Sequence, residues 1–212
     1  MRTVLLATRN PKKLAELRRH LRGIRVRCVT LDAYPDIPPV REDGATFEAN
    51  AVKKARAPSR RVPLLVVAED SGLVVPVLRG APGVRSARFA RGRRAGDRDA
   101  ANNAKLLRAM RGLPPRRRTA AFVCVVAIAH RGRIVGVVRG ECRGSIAPSP
   151  RGTSGFGYDP LFIPRGYRRT FAELGPRAKD RLSHRGQALA RARPLIARAL
   201  RTLRGAARTP AL

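Results

Sequence analysis

The chain has 212 residues, of which 43% are apolar, so it is long enough to bury a substantial core and is expected to fold as a globular protein. No run approaches the roughly eighteen consecutive apolar residues of a membrane span, and the apolar run at 4–7 is too short for a signal-peptide core. We therefore expect a cytoplasmic protein without a membrane segment. Cys28, Cys124 and Cys142 lack the paired spacing of a zinc or redox motif and are interpreted as free thiols.

The net charge is +32, and 40 of the 46 basic residues are arginines. Such a charge attracts any polyanion, including nucleic acid, membrane surfaces and nucleoside triphosphates. With only six Phe, three Tyr and no Trp, the chain lacks the interleaved basic and aromatic residues that stack single strands, and it has no zinc-finger motif. Arginines spread over solvated faces explain the charge, so nucleic acid is expected only as a non-specific electrostatic partner.

Apolar patterning predicts an α/β fold with, in chain order, a strand at 4–7, a helix from Asn10, a helix at 46–57, a strand at 64–68, a helix at 99–110, a hairpin of 119–129 and 133–142, and a helix at 184–203. The run at 64–68 is typical of a strand buried on both faces, and we expect it to end at Glu69 and Asp70. The Gly- and Pro-rich stretch 146–164 predicts a long functional loop with a short strand. Pro194 is expected to bend or break the last helix.

A candidate phosphate site lies where the first strand gives way to a helix. Backbone N–H groups and the positive end of the helix dipole face the loop there, and two lysines and a hydroxyl add donors. The loop lacks the glycine pattern of a P-loop, and Asn10 could simply cap a surface helix. The six residues of this candidate site are Thr8, Arg9, Asn10, Pro11, Lys12 and Lys13.

The candidate reaction centre is the sequence Glu69-Asp70-Ser71-Gly72. Adjacent side chains on a strand point to opposite sides, so only one of the two carboxylates can face a given site. Hydrolysis of a phosphoanhydride by water needs a metal to shield charge and a base to take the proton, and a carboxylate can serve both needs. The alternative is a plain turn at the end of a strand, with Gly72 letting the backbone turn.

A second cluster of chemistry-bearing residues lies between Gly152 and Gly186. Residues 155–160 read Gly-Phe-Gly-Tyr-Asp-Pro, and residues 183–186 read Ser-His-Arg-Gly. An aromatic ring in a glycine turn, a carboxylate and several cations suit a nucleobase and its phosphates, although residues 183–186 could also be only a helix cap with solvated charges. The members with a candidate role are Phe156, Gly157, Tyr158, Asp159, Lys179, His184 and Arg185.

The order and spacing of these blocks, from Thr8 to Gly186, resemble the inosine triphosphate pyrophosphatase family, which hydrolyses deaminated purine nucleotides. The resemblance implies an elongated mixed β-sheet flanked by helices, in two lobes with a central active-site cleft. It also implies one domain over residues 1–204, and we expect a frayed tail at 205–212. A Mg²⁺ cofactor, a nucleoside triphosphate substrate and a homodimer are implied as well.

The resemblance also assigns roles to individual residues. It implies that Asp70 is the catalytic base and a magnesium ligand, that Glu42 is the second ligand, that residues 8–13 contact the triphosphate, and that Ser71 and Lys179 contact the nucleotide. Phe156 is expected to stack on the purine, with residues 157–159 beside it, and His184 and Arg185 are expected to contact the base. Arg185 carries donors only, which suits the six-carbonyl of hypoxanthine or xanthine and not the amino group of adenine.

The sequence departs from the family pattern at one position. The usual Thr-Phe-any-Glu-Asn-Ala appears as 46–51 with its glutamate, Glu48, one residue early, which rotates the carboxylate by about 100° on a helix. Asn50 and Lys54 stay in register. Two rival functions are a basic nucleic-acid-binding protein on an inactive hydrolase fold and a pyrophosphatase of other nucleotides, such as dTTP or UTP.

Overall fold

The computed structural model describes residues 2–90 and 98–206. Its strands and helices, in chain order, are β1 (Arg2–Leu6), α1 (Pro11–His20), β2 (Val26–Thr30), α2 (Phe47–Ser59), β3 (Leu65–Val74), α3 (Arg98–Ala109), β4 (Thr119–His130), β5 (Arg133–Ile146), β6 (Phe162–Pro164), α4 (Phe171–Leu182) and α5 (His184–Ala206). The expected tail at 205–212 falls mostly on residues 207–212, which lie outside the described residues.

Six strands form one mixed sheet in the order β2-β1-β3-β4-β5-β6. β1 runs parallel to β2 and to β3, with Val4 opposite both Cys28 and Leu65, whereas β5 and β6 are antiparallel. The short turn between β4 and β5 uses Arg131 and Gly132, both at positive φ, as tight hairpin turns require. The predicted α/β class, with a mixed sheet and flanking helices, is confirmed.

The chain divides into two compact units. The first unit contains the residues up to Asp70, Val125–Arg139 and the residues from Ala188 onward, and the second contains Ser71–Cys124 and Gly140–Gln187. Each unit carries 16 more basic than acidic residues, so the positive charge is shared evenly between them.

The core of the first unit begins with β1 and β3. Val4, Leu5 and Leu6 are fully buried, as are Val66 and Val67, because parallel strands in the middle of a sheet are covered on both faces. α1 begins as its sequence predicts: the Asn10 side chain accepts hydrogen bonds from the second and third N–H groups of the helix.

The core of the second unit contains a cluster of aromatic rings. Phe122 lies 4.6 Å from Phe162 and 6.2 Å from Phe171, measured between ring centroids, and the ring of His184 stacks on Phe122 at 4.7 Å. These distances lie within the favourable range for aromatic pairs. The cluster fixes the start of α5, because His184 is its first residue.

Several predicted element boundaries were wrong. β3 does not end at Glu69 and Asp70; it continues through Ser71 and Gly72 to Val74, so there is no strand-ending turn and Gly72 does not turn the backbone. β2 and α4 had no predicted counterpart. α5 does not break at Pro194 but continues through it. Pro194 has no N–H to donate to the Ala190 carbonyl, and because both residues are exposed, that carbonyl can bond to water instead. Within the two described ranges, no helix has both the length and the apolar character to cross a membrane.

Arg118 acts as a buried cross-link in the second unit. Its guanidinium donates hydrogen bonds to the backbone carbonyls of Ile146 at 2.8 Å, Met110 at 2.9 Å and Ala147 at 3.0 Å. The side chain thus ties the end of α3 to the end of β5, and its removal would leave three carbonyls without these donors.

We predict that Arg118→Met lowers the free energy of unfolding by about 3–5 kcal/mol, because each buried carbonyl left without a donor costs about 1–3 kcal/mol. Urea unfolding followed by circular dichroism measures the change. Arg117→Met is the matched control, since Arg117 is exposed, and it should change stability by less than about 0.5 kcal/mol. Equal stabilities for the two variants would contradict the cross-link.

Candidate active site

The loop between β1 and α1 places residues 8–13 at a helix N-terminus. Asn10 Oδ1 accepts from the N–H groups of Lys12 at 3.0 Å and Lys13 at 3.2 Å, and Thr8 Oγ1 accepts from the Asn10 N–H at 3.2 Å. Pro11 and Lys12 are exposed. Because the Asn10 side chain already accepts from the N–H groups of Lys12 and Lys13, this loop has its side chains, more than these N–H groups, to offer to an anion.

Thr8 and Arg9 border a cavity of about 170 Å³ in the first unit. Glu42 and Lys54 also line it, so the cavity wall carries a hydroxyl, two cations and a carboxylate, and its remaining lining is mostly apolar. A cavity lined by both cationic and anionic side chains suits a complex of an anion with a metal cation.

β3 sends its two adjacent carboxylates to different partners, as the alternation of a strand requires. Glu69, whose side chain is fully buried, lies 2.6 Å from the Lys13 ammonium. Asp70 is 5% exposed; its Oδ2 accepts from Asn50 Nδ2 at 3.2 Å and its Oδ1 lies 3.5 Å from the Lys54 ammonium.

Lys54 also lies 3.3 Å from Glu42 Oε1, so one ammonium group bridges the two carboxylates expected to hold a metal. Burial alone would lower the pKa of Lys54, but the carboxylates of Asp70, Glu42 and Glu69 outweigh it and raise that pKa. Lys54 therefore stays charged in the folded protein.

Burial raises the pKa of Asp70 above its ordinary value of 3.8. The charges of Lys54 and Lys13 and the hydrogen bond from Asn50 act in the opposite direction, but they do not cancel the effect of burial. A carboxylate with a raised pKa holds a proton more readily than an exposed one, which is the property of a general base.

The residues present fit a magnesium ion. Glu42 and Asp70 offer hard oxygen ligands and already share one cation, and Mg²⁺ commonly takes only one or two protein carboxylates, with phosphates and waters completing its shell. No group of three or more His, Cys, Asp or Glu suited to a metal occurs in the part of the chain that the structure describes, so a site made only of protein ligands is absent there.

α2 carries the residue that orients Asp70. Asn50 is buried, and its side-chain oxygen accepts from the Gly44 N–H at 2.8 Å while its amide group donates to Asp70. Glu48, the displaced glutamate, is exposed in the first turn of the same helix. The one-residue shift thus leaves Asn50 in contact with Asp70 and puts Glu48 in solvent.

In the second unit, the loop before β6 is folded around one carboxylate. Asp159 is 2% exposed, and its Oδ2 accepts from the Phe156 N–H at 2.8 Å and from Lys179 Nζ at 2.6 Å. Gly155 has φ +86°, and a Cβ there would lie 2.1 Å from Asp159 Oδ2, so only glycine fits. In this structure the Asp159 carboxylate binds the loop and a lysine.

The Phe156 ring has two cations close to it. The Lys179 ammonium lies 4.3 Å from its centroid and the Arg185 guanidinium carbon 5.5 Å, both within the range of cation–π attraction. Arg185 is 2% exposed and donates to Ser71 Oγ at 2.9 Å. The structure thus brings together five predicted residues: Ser71, Phe156, Asp159, Lys179 and Arg185.

Tyr158 and His184 lie in the core of the second unit. Tyr158 is 4% exposed, and its hydroxyl donates to the Ser86 carbonyl at 2.9 Å, while burial raises its pKa. His184 is equally buried and stacks on Phe122. Ser183 Oγ accepts from the Gly186 N–H at 3.1 Å, so the capping role considered for residues 183–186 is present as well.

Three residues of the first unit have structural contacts in the site although the sequence assigned them no role there. Lys54 bridges Glu42 and Asp70, Asn50 orients Asp70, and Glu69 holds Lys13. The spacing of Asn50 and Lys54 on α2 was a usable signal, because residues four apart on a helix share a face.

Similarity to known proteins extends over most of the chain. The sequence model of the Ham1 family matches residues 4–195. A dITP/XTP pyrophosphatase of Anaeromyxobacter sp. (strain Fw109-5) is 46% identical, with 93% of this chain and 98% of that protein aligned, and one of Nocardia farcinica is 50% identical, with 93% and 96% aligned.

Solved structures of related proteins have the same fold. A HAM1 protein from Coxiella burnetii has a TM-score of 0.83 at 37% identity, covering 92% of this chain and 98% of its own. A nucleoside-triphosphatase / dITP/XTP pyrophosphatase from Mycobacterium abscessus has a TM-score of 0.73 at 51% identity, covering 89% and 97%. With these matches along almost its whole length, the chain belongs to the Ham1 family.

Proposed function

We propose that this chain hydrolyses deaminated purine nucleoside triphosphates, namely ITP, dITP and XTP, to the nucleoside monophosphate and pyrophosphate. The observation that carries the proposal is the pair of carboxylates, Glu42 and Asp70, that share one cation beside a cavity lined by Thr8 and Arg9. Membership of the Ham1 family and the names of the relatives, dITP/XTP pyrophosphatase, support the same reaction.

The first unit supplies the groups for the triphosphate. Glu42 and Asp70 would hold Mg²⁺, which when bound shields the phosphate charge and lowers the pKa of coordinated water. Asp70, with its raised pKa, accepts the proton of the attacking water. Lys13 and the side chains of Thr8 and Arg9 bind phosphate oxygens, and Lys54 offsets charge that develops in the transition state.

The second unit supplies the groups for the nucleobase. Phe156 provides a stacking surface, and Arg185, whose guanidinium carries donors only, lies 5.5 Å from the centroid of that ring. A donor next to the six-position pairs with a carbonyl but leaves an amino group unmatched, which disfavours adenine. Lys179 lies against the same ring of Phe156. His184 stacks on Phe122 and holds the start of α5, where Arg185 follows it.

The family relationship extends the proposal to assembly and location. We propose a homodimer acting on the cytoplasmic nucleotide pool, in keeping with an enzyme of free nucleotides. Light scattering coupled to size exclusion should report about twice the chain mass of 23.2 kDa. A single chain mass at working concentration would reject the dimer without affecting the proposed reaction.

A substrate panel tests the reaction. We expect ITP, dITP and XTP to release pyrophosphate and the monophosphate with Mg²⁺ present, much faster than ATP, and we expect EDTA to stop the reaction until Mg²⁺ is restored. Preference for dTTP or UTP would favour a pyrophosphatase of other nucleotides. No turnover of any triphosphate, with tight salt-sensitive binding to duplex DNA, would favour the nucleic-acid-binding alternative.

We predict that Asp70→Asn abolishes turnover and, in EDTA at pH 7, raises the melting temperature. The raised pKa means that the folded state binds the Asp70 proton more tightly than the unfolded chain, so ionised Asp70 lowers stability as the pH rises above 3.8. Asparagine mimics the protonated form, and its advantage should therefore vanish as the pH falls below that value.

Asp43→Asn is the matched control for Asp70→Asn, because Asp43 is a carboxylate of the same unit that pairs with Lys53 and is more exposed than Asp70, with 43% against 7% of its side chain accessible. It should retain wild-type turnover. Thermal unfolding at several pH values and a pyrophosphate assay measure the two effects, and full activity of Asp70→Asn would remove Asp70 from the mechanism.

We predict that Phe156→Ala raises KM for ITP by about 5- to 150-fold, because base–aromatic stacking contributes about 1–3 kcal/mol. The kcat value should change little, since the hydrolytic groups lie on other residues. Tyr167→Ala, which removes an aromatic ring that is 40% exposed elsewhere in the second unit, should leave KM unchanged. Equal KM values for the Phe156 and Tyr167 variants would contradict stacking on Phe156.

A further inference from the structure

Both backbone polar groups of Gly157 are bound by side chains of α3. The Gly157 N–H donates to Asp99 Oδ2 at 2.8 Å, and the Gly157 carbonyl accepts from Asn103 Nδ2 at 3.0 Å. These contacts connect residues more than fifty positions apart in the sequence, and Asn103 is buried. Loop peptides usually bond to water, so two side chains directed at one glycine form a specific attachment.

The attachment lies directly beside Phe156. The N–H of Gly157 belongs to the peptide plane that follows the Phe156 Cα, and Asp99 holds that plane. The N–H of Phe156 belongs to the preceding plane, and Asp159 holds that one. Because rotation about the two backbone bonds of Phe156 moves these planes, a carboxylate on each side fixes both dihedral angles.

α3 is itself a firm support. Its Asn102 donates to the carbonyls of Ser86 and Ala87 and accepts from the Ala90 N–H at 2.7 Å. Leu106, one turn further along, is fully buried. A loop attached to this helix therefore takes its position from the core of the second unit.

We propose that Asp99 and Asn103 are positioning residues for base recognition, which set the Phe156 ring in the orientation that a purine stacks on. The inference rests on the proposed function, because it assumes that Phe156 binds the base. It adds to that function a pair of residues on a different helix that act through the backbone of Gly157.

The two contacts run in opposite directions, and this makes the inference testable. Asp99 must accept a hydrogen bond, so Asp99→Asn keeps an acceptor oxygen, whereas Asp99→Ala removes it. Asn103 must donate, so Asn103→Asp, a change of similar size, removes the donor and places an oxygen against the Gly157 carbonyl. If these residues only stabilised the fold, IMP binding would not depend on whether residue 99 accepts and residue 103 donates a hydrogen bond.

The experiment measures binding of the two products separately by isothermal titration calorimetry with Mg²⁺ present. IMP reports on the base site and pyrophosphate on the phosphate groups of the first unit. Steady-state kinetics with ITP show whether each substitution changes KM, kcat or both. Arg108→Ala is the matched control, because Arg108 is an exposed residue of α3.

We expect Asp99→Ala and Asn103→Asp to weaken IMP binding and raise KM by about 5- to 10-fold, which lies within the range for one lost hydrogen bond. Pyrophosphate affinity and kcat should stay within about twofold of wild type. Asp99→Asn and Arg108→Ala should bind IMP almost as wild type does. Thermal unfolding shows whether each variant is folded. If the change at the buried Asn103 prevents folding, IMP binding by Asp99→Ala alone tests the inference.

IMP affinity unchanged in Asp99→Ala, or equal losses of IMP and pyrophosphate affinity, would overturn the inference. Equal losses in Asp99→Asn and Asp99→Ala would also overturn it, since the acceptor would then be irrelevant. These outcomes differ from failure of the proposed function, which appears in the wild-type protein as an absence of ITP hydrolysis.

Discussion

The burial of two adjacent carboxylates in the middle of the sheet is the constraint on which the first unit depends. A buried carboxylate needs a hydrogen-bonding or charged partner, because removing a charge from water costs several kcal/mol. Glu69 and Asp70 obtain their partners from different elements: Lys13 from α1, and Asn50 and Lys54 from α2. The positions of α1 and α2 beside β3 are therefore tied to the chemistry of the site and not only to apolar packing.

In the second unit the buried charges are cations, and they too have polar partners. Lys179 and Arg185 are almost completely buried, and each has a polar partner and an aromatic ring within reach. Asp159 neutralises Lys179 and holds the loop of Phe156 with the same oxygen. The cations proposed to bind the nucleotide are thus held in place by their own partners, which would lower the entropy lost on binding.

Sequence reasoning reached the elements whose signals are local. The cap at Asn10, the buried run of β3 and the positions of Asp70, Phe156 and Arg185 follow from short motifs and periodicity. It failed where tertiary contacts decide the structure. β3 continues past Asp70 to Val74, which the apolar run at 64–68 does not indicate. α4 was missed although Thr170 and Glu173 form a capping box, because Gly175, with φ 76°, interrupts the helix with a kink and Pro176 follows it. The bridge formed by Lys54 depends on three segments meeting, which no single stretch of sequence reveals.

The bridge formed by Lys54 also has a consequence for the proposed metal site. In structural zinc sites the ion supplies folding energy, so chelation unfolds the domain. Here the ammonium group of Lys54 lies against both Glu42 and Asp70, so in the proposed mechanism a divalent ion would compete with the lysine for these carboxylates. Phosphate oxygens would shift that balance by adding ligands for the ion and an anion for the lysine. The proposed function therefore implies that the affinities for metal and nucleotide are thermodynamically coupled.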